Sequence, residues 1–125
     1  MSDILVRIPK SQLHHFYCEK MESPIAFWRF AHKPKRLNVG DYIWFTRPDG
    51  IVAGAPVLEV TQREIESDDP QGAWKIIWQG NTTRVLHPAV RGIQYAQRGY
   101  RYLTSQEQQR LRNLLWLRRL LNSSA

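Results

Sequence analysis

The residues most able to do chemistry begin with two groups along the chain. Trp28 precedes a basic run, Lys33-Pro34-Lys35-Arg36, and Tyr42 and Trp44 follow it at once. An aromatic face stacks an unpaired base for about 1–3 kcal/mol, and neighbouring cations hold the flanking phosphates. Further on, Arg91, Arg98 and Arg101 interleave with Tyr95, Tyr100 and Tyr102, a pattern suited to single-stranded nucleic acid because guanidinium both stacks and donates in pairs. Each group has a plainer reading beside it. Five tryptophans in a small domain also build a core, and a charged loop also keeps a protein dissolved.

The remaining chemistry is thin. His14 and Cys18 stand four apart on an expected helix, a spacing that metal ligands use, and His15 lies between them. A single cysteine with no second thiol argues against a closed zinc site, so neither metal nor other cofactor is expected. Four of the 11 acids crowd into Glu64, Glu66, Asp68 and Asp69, read as a mobile, solvated loop. Asp41 is the acid beside the aromatic group, with the duty of capping the turn after Gly40. Phosphate-cradling glycine motifs and serine elbows are lacking.

Charge points the same way as the first two groups. The 18 Lys and Arg against 11 Asp and Glu leave +7, which favours polyanionic partners. From Gln71 onward nine basic residues face only Glu107. The lone Cys18 excludes an internal disulfide, and the chain opens without the basic-then-apolar layout of a signal peptide. A cytoplasmic protein without a membrane segment is expected. At 125 residues and 42% hydrophobic content, one domain over residues 1–125 is the natural division.

The elements that must position these residues read as α+β. Alternation over residues 4–8, with Ile4, Val6 and Ile8 on one face, predicts a strand closed by Pro9. A short helix is predicted over about residues 11–21. Ser23-Pro24 predicts the start of another, which carries Ile25, Phe27, Trp28 and Phe30. Residues 41–47 form a strand with Tyr42, Trp44 and Thr46 on one face and Ile43 and Phe45 on the other. Pro48-Asp49-Gly50 turns it into an antiparallel partner over residues 51–61, where Gly54 and Ala55 leave room for something large. Strands are predicted over 74–79 and 82–87, the second broken by His87-Pro88, with short ones around 93–96 and 100–103. Thr104-Ser105-Gln106-Glu107 is a capping box that opens a final helix. Its packing stripe is Leu111, Leu114 and Leu115, with Arg110, Arg112 and Arg119 pointing elsewhere, and Arg118, whose angle would join the stripe, is expected either to snorkel or to mark a frayed helix end.

The order of strand, helices, basic loop, Val39-Gly40-Asp41, aromatic strand, turn and then Ile51-Val52-Ala53-Gly54-Ala55-Pro56-Val57 resembles the PUA-like superfamily of PUA, ASCH, EVE and YTH domains. The carrying residues are Gly40, Asp41, Ile51, Val52, Ala55 and Val57, with Ala53 where the family's glycine would stand and Gly54 one place later. Residues 98–104 also resemble the C-terminal part of EVE-type members. The resemblance implies a small mixed or antiparallel β-pseudobarrel with short N-terminal helices and a C-terminal helix. It also implies binding of nucleic acid, RNA before modified DNA, with a modified base read in a pocket of Trp28, Tyr42 and Trp44. The "G-x-K-x-x-E-x-R" segment of ASCH enzymes has no match, so binding is favoured over catalysis. Two alternatives stay open. One is an ASCH-like ribonuclease or amidohydrolase with Lys33 or Lys35 as the catalytic cation or base. The other is a protein-interaction module through Trp116, Leu117 and Leu120 of the last helix.

Overall fold

The computed structural model describes residues 2–96 and 99–123, and for Cys18 and residues 118–123 the backbone alone. Eight strands and a C-terminal helix make a mixed α+β fold compatible with a small β-pseudobarrel. The strands are β1 (Ile4–Arg7), β2 (Ala26–Phe30), β3 (Tyr42–Arg47), β4 (Gly50–Pro56), β5 (Glu59–Thr61), β6 (Trp74–Trp78), β7 (Arg84–Val90) and β8 (Tyr100–Tyr102). A five-stranded sheet runs β7-β4-β3-β1-β8, and a three-stranded sheet runs β2-β6-β5. β1 lies parallel to β3, and every other pairing is antiparallel.

Alternation along β1 and β3 makes three layers. Ile4, Val6, Ile43 and Phe45 point at the smaller sheet and meet Ala26, Phe30, Ile76 and Trp78 in the main core. Leu5 and Trp44 point the other way, into a second cluster with Leu86, Leu103 and Leu111 under the C-terminal helix α2 (Ser105–Ser123). Glu107 accepts the Thr104 N–H at 2.9 Å, and the Glu107 N–H donates to the Thr104 hydroxyl at 3.2 Å, the reciprocal cap expected. Leu111 is buried, with Leu114 and Leu115 packed beside it.

Asp3 locks the helix to the sheet. Its buried carboxylate accepts the Tyr42 N–H at 2.8 Å, the Trp44 indole N–H at 3.0 Å and two bonds from Arg112. Arg112 therefore turns in toward the sheet, where a buried carboxylate needs a partner, instead of pointing away.

Several expectations change. Helical structure does cover Lys10–Gln12 as a 3-10 turn, Leu13–His15 as α1 and Phe16–Lys20 as a π-helical turn. The segment after Ser23-Pro24 is instead the edge strand β2. Ser23 turns its hydroxyl to the Ile25 backbone, closing a local turn, and the aromatic run pairs with β6. The predicted strand over 51–61 divides after Pro56, and its second part joins the smaller sheet. Residues 84–90 continue through His87-Pro88 because β7 is an edge strand and proline there removes no ladder bond from a second neighbour. Residues 93–96 form no strand. No helix among the described residues is long and apolar enough to cross a membrane.

Candidate nucleic-acid interface

A cleft of about 540 Å³ opens at the β2 edge of the smaller sheet, between the end of the N-terminal helical stretch and residues 66–68. Its position depends on Gly80. A Cβ there would stand 2.0 Å from the Lys20 carbonyl oxygen and 2.3 Å from that of Ser23, so the 20–23 turn rests directly on glycine backbone. That contact points Lys20 across three rings: its Nζ is 4.9 Å from the Phe27 centroid, 5.5 Å from Trp28 and 5.9 Å from Trp78. The same Nζ donates to the Phe27 carbonyl. Burial pushes the Lys20 ammonium down to about 8, and Arg29 adds to that, while Glu66 and Glu19 oppose it. His15 pairs with Glu19 on the rim.

Trp28 is half-buried. One side of it packs on Phe45, ring centroids 5.6 Å apart, and it also lines the cleft. The site therefore offers an aromatic wall, an ammonium donor and carboxylate acceptors at Glu66 and Asp68.

The acidic segment opposite is anchored at Asp69. Asp69 has a buried carboxylate that accepts two bonds from Arg29, at 2.7 and 3.1 Å, and the backbone N–H groups of Ile65 and Glu66. Buried Lys75 stands 3.5 Å from it and donates to the Arg63 carbonyl at 2.7 Å. Burial alone would raise the Asp69 carboxyl, but the Ile65 N–H and Arg29 outweigh it and hold the group far below the usual carboxylate range. Glu66, Asp68 and Asp69 do gather within 4.8 Å, and Arg29 already faces all three. The expected solvated acids are found at Glu64, Glu66 and Asp68, which are exposed, whereas Asp69 departs from that reading because two cations and two backbone N–H groups take its buried carboxylate.

Of the aromatic pocket read from the sequence, Trp28 lines the cleft, and Tyr42 and Trp44 are not among its lining residues. Trp44 is fully buried on the opposite side of β3, stacked on Tyr42 at 5.3 Å, and a Cβ on Gly54 would fall 2.3 Å from its ring. It has no face for a base. Tyr42 is half-buried and lies under the Arg112 guanidinium, 4.8 Å from the ring centroid. The expected room beside Gly54 is thus filled by Trp44 itself.

The basic loop and β8 do come together. Lys33 lies 5.0 Å over the Trp74 ring and Arg36 4.4 Å over Tyr102, whose hydroxyl accepts the Arg36 N–H at 2.9 Å. Lys33, Lys35 and Arg36 are exposed and, among the described residues, face no carboxylate within 4 Å. Arg101 is different: it forms a two-bond pair with Glu107, 3.1 and 2.9 Å, and donates to the Gln94 carbonyl. Its charge is spent on fastening β8 to α2. Arg91 is exposed, Tyr95 lies under Arg7, and Arg98 lies outside the described residues. Asp41 accepts the Asn38 N–H at 2.9 Å, capping the turn around Gly40. Cys18 has no described side chain, so the His14, His15 and Cys18 grouping lies partly outside the described residues.

Lys20, Phe27, Glu66 and Asp68 were missed. A lysine at a helix end reads as surface, and Ala26-Phe27-Trp28-Arg29-Phe30 was the available signal, since such a β-prone run puts Phe27 and Trp28 on a strand beside it. No protein-family model, curated protein or solved structure matches the chain.

Proposed function

We propose that this is a cytoplasmic nucleic-acid-binding module of PUA-like fold that takes an unpaired base, in RNA before DNA, into the cleft beside Trp28 and Lys20. The observation that carries the reading is the half-buried Trp28 ring facing a cleft that also holds an ammonium and two carboxylates. A planar heterocycle suits it: the ring stacks, Lys20 donates to a base carbonyl or ring nitrogen, and Glu66 or Asp68 accepts from an exocyclic amine. β2 leads from this cleft straight into the loop that carries exposed Lys33, Lys35 and Arg36, with Lys33 over the Trp74 ring and Arg36 over Tyr102, where a backbone can pass. Titration of single-stranded RNA and DNA at low salt, followed by tryptophan fluorescence, tests this. Saturable binding that weakens in Trp28→Ala is expected. Absence of binding to every oligonucleotide overturns it.

One observation favours a hydrolase as the second reading. An amine lowered to about 8 stands in one cleft with the Ser23 hydroxyl and Glu66, which suits a general base far better than exposed Lys33 or Lys35. This moves the catalytic lysine of the ASCH-like alternative to Lys20. Time-dependent product from a nucleoside or RNA, lost in Lys20→Met, would select it.

A further inference from the structure

Three strand ends converge away from the base cleft. β1 ends at Arg7 beside Thr46, β3 ends at Arg47 opposite Gly50, and Ile51 pairs with Val90, so Arg91 leaves β7 next to the β3–β4 turn. Between them is a cleft of about 360 Å³, lined among others by Arg47, Asp49, Arg91, Gly92 and Tyr95. Arg7 lies 5.1 Å over the Tyr95 ring, and a second hollow of about 660 Å³ shares Gly92 and Tyr95.

The arginines outnumber the acid there. Asp49 is the one carboxylate that pairs with them among the described residues, and its oxygen stands 3.6 Å from Arg47 Nε, too far for a hydrogen bond. Arg47 Nε is itself shielded from solvent and has no hydrogen-bond partner among the described residues, while the Arg47 side chain as a whole is 39% exposed at the cleft. One shielded N–H without an acceptor is unfavourable, and the exposed remainder of the guanidinium leaves it within reach of a ligand oxygen in the cleft.

We propose that this cleft is a phosphate site, which takes one phosphodiester group of the bound nucleic acid between Arg47 and Arg91, with Arg7 on Tyr95 at its edge. It rests on the reading that the partner is nucleic acid, and it needs no base. The incoming oxygens displace the Asp49 carboxylate and draw the Arg47 guanidinium into a full set of bonds.

The probe is a short abasic deoxyribose-phosphate oligomer, with inorganic phosphate beside it, followed through the arginine Nε–H and backbone amide resonances of the whole chain. Saturable shifts at Arg47 Nε–H and Gly92 are expected, weakened about tenfold or more in Arg91→Ala. Asp49→Asn should tighten binding, since it removes the competing charge. Arg91 is exposed, so its variant leaves the fold intact even if Arg47→Ala does not. Shifts confined to Lys33 and Arg36, or affinities unchanged in both Arg91→Ala and Asp49→Asn, overturn the site. Nucleosides separate the two readings. If they bind at Trp28 while Arg47 stays silent to the abasic oligomer, the base cleft stands and the phosphate site falls. The reverse pattern keeps the phosphate site and removes the base cleft.

Discussion

Trp44 and Trp28 lie on opposite sides of β3, each beside an ionisable group, yet one is sealed and the other open. Around Trp44 the buried polar groups meet one another within the chain. Asp3 takes the indole N–H, the Tyr42 N–H and Arg112, Tyr42 covers one ring face, and the Gly54 backbone meets the ring. Around Trp28 the packing stops at Phe45, and Lys20, Glu66 and Asp68 line open space. An aromatic beside a charge is therefore no signature of a site by itself. It builds core where donors and acceptors close on one another, and a binding surface where some are left over for a ligand.

The widest gap between the two sides should appear in stability. Asp3→Ala strands a guanidinium, an indole N–H and a backbone N–H in the second core, a loss of about 3–5 kcal/mol. Lys20→Met, which exchanges one half-buried chain for another of similar length, should stay within about 1 kcal/mol. Guanidinium unfolding measures both, and equal losses would break the contrast. Gly54→Ala comes next, at about 1–3 kcal/mol, because the new methyl must displace the Trp44 ring.

In binding the order reverses. Trp28→Ala should remove about 1–3 kcal/mol of affinity for a base-bearing single strand and leave the fold intact by near-ultraviolet circular dichroism. The basic residues divide in the same way. Lys35→Ala or Arg36→Ala should reduce the slope of log affinity on log salt by about one each, whereas Arg101→Ala, whose charge Glu107 already holds, should leave the slope unchanged. An equal slope change for Arg101 would show that its pair opens on binding.

What the sequence made legible was whatever local chemistry decides. The Thr104 and Glu107 cap needs only four residues, and the alternation of β3 correctly separated Tyr42 and Trp44 from Ile43 and Phe45. That same alternation forbids Trp44 and a ring on the Phe45 side from forming one wall, a consequence that depends on Trp28 packing against Phe45. Long-range partners were the part out of reach. Ser23-Pro24 carries every local mark of a helix start, but β6 pairs with residues 26–30 and overrides it. Lys20 and Gly80 are sixty residues apart, and nothing in either neighbourhood announces that one turn rests on the other.

The finest distinction lies in Lys20 itself. Its ammonium titrates near 8 in the folded chain, against 10.5 for an ordinary lysine, chiefly because burial disfavours the charge. Between those two values the unfolded chain binds more protons than the folded one, so this residue makes stability rise with pH across that window and contributes no pH dependence below it. The difference in unfolding free energy between the native chain and Lys20→Met, followed from pH 7 to 10, isolates this trend because other groups cancel. Ligand binding should move the opposite way. If the ammonium donates to the bound base, affinity falls as pH rises through about 8, by up to roughly tenfold between pH 7 and 9. The Lys20→Met profile should be flat. A native chain that grows more stable while binding is indifferent to pH would leave Lys20 as a buried prop beneath Trp28, with the stacking wall alone holding the base.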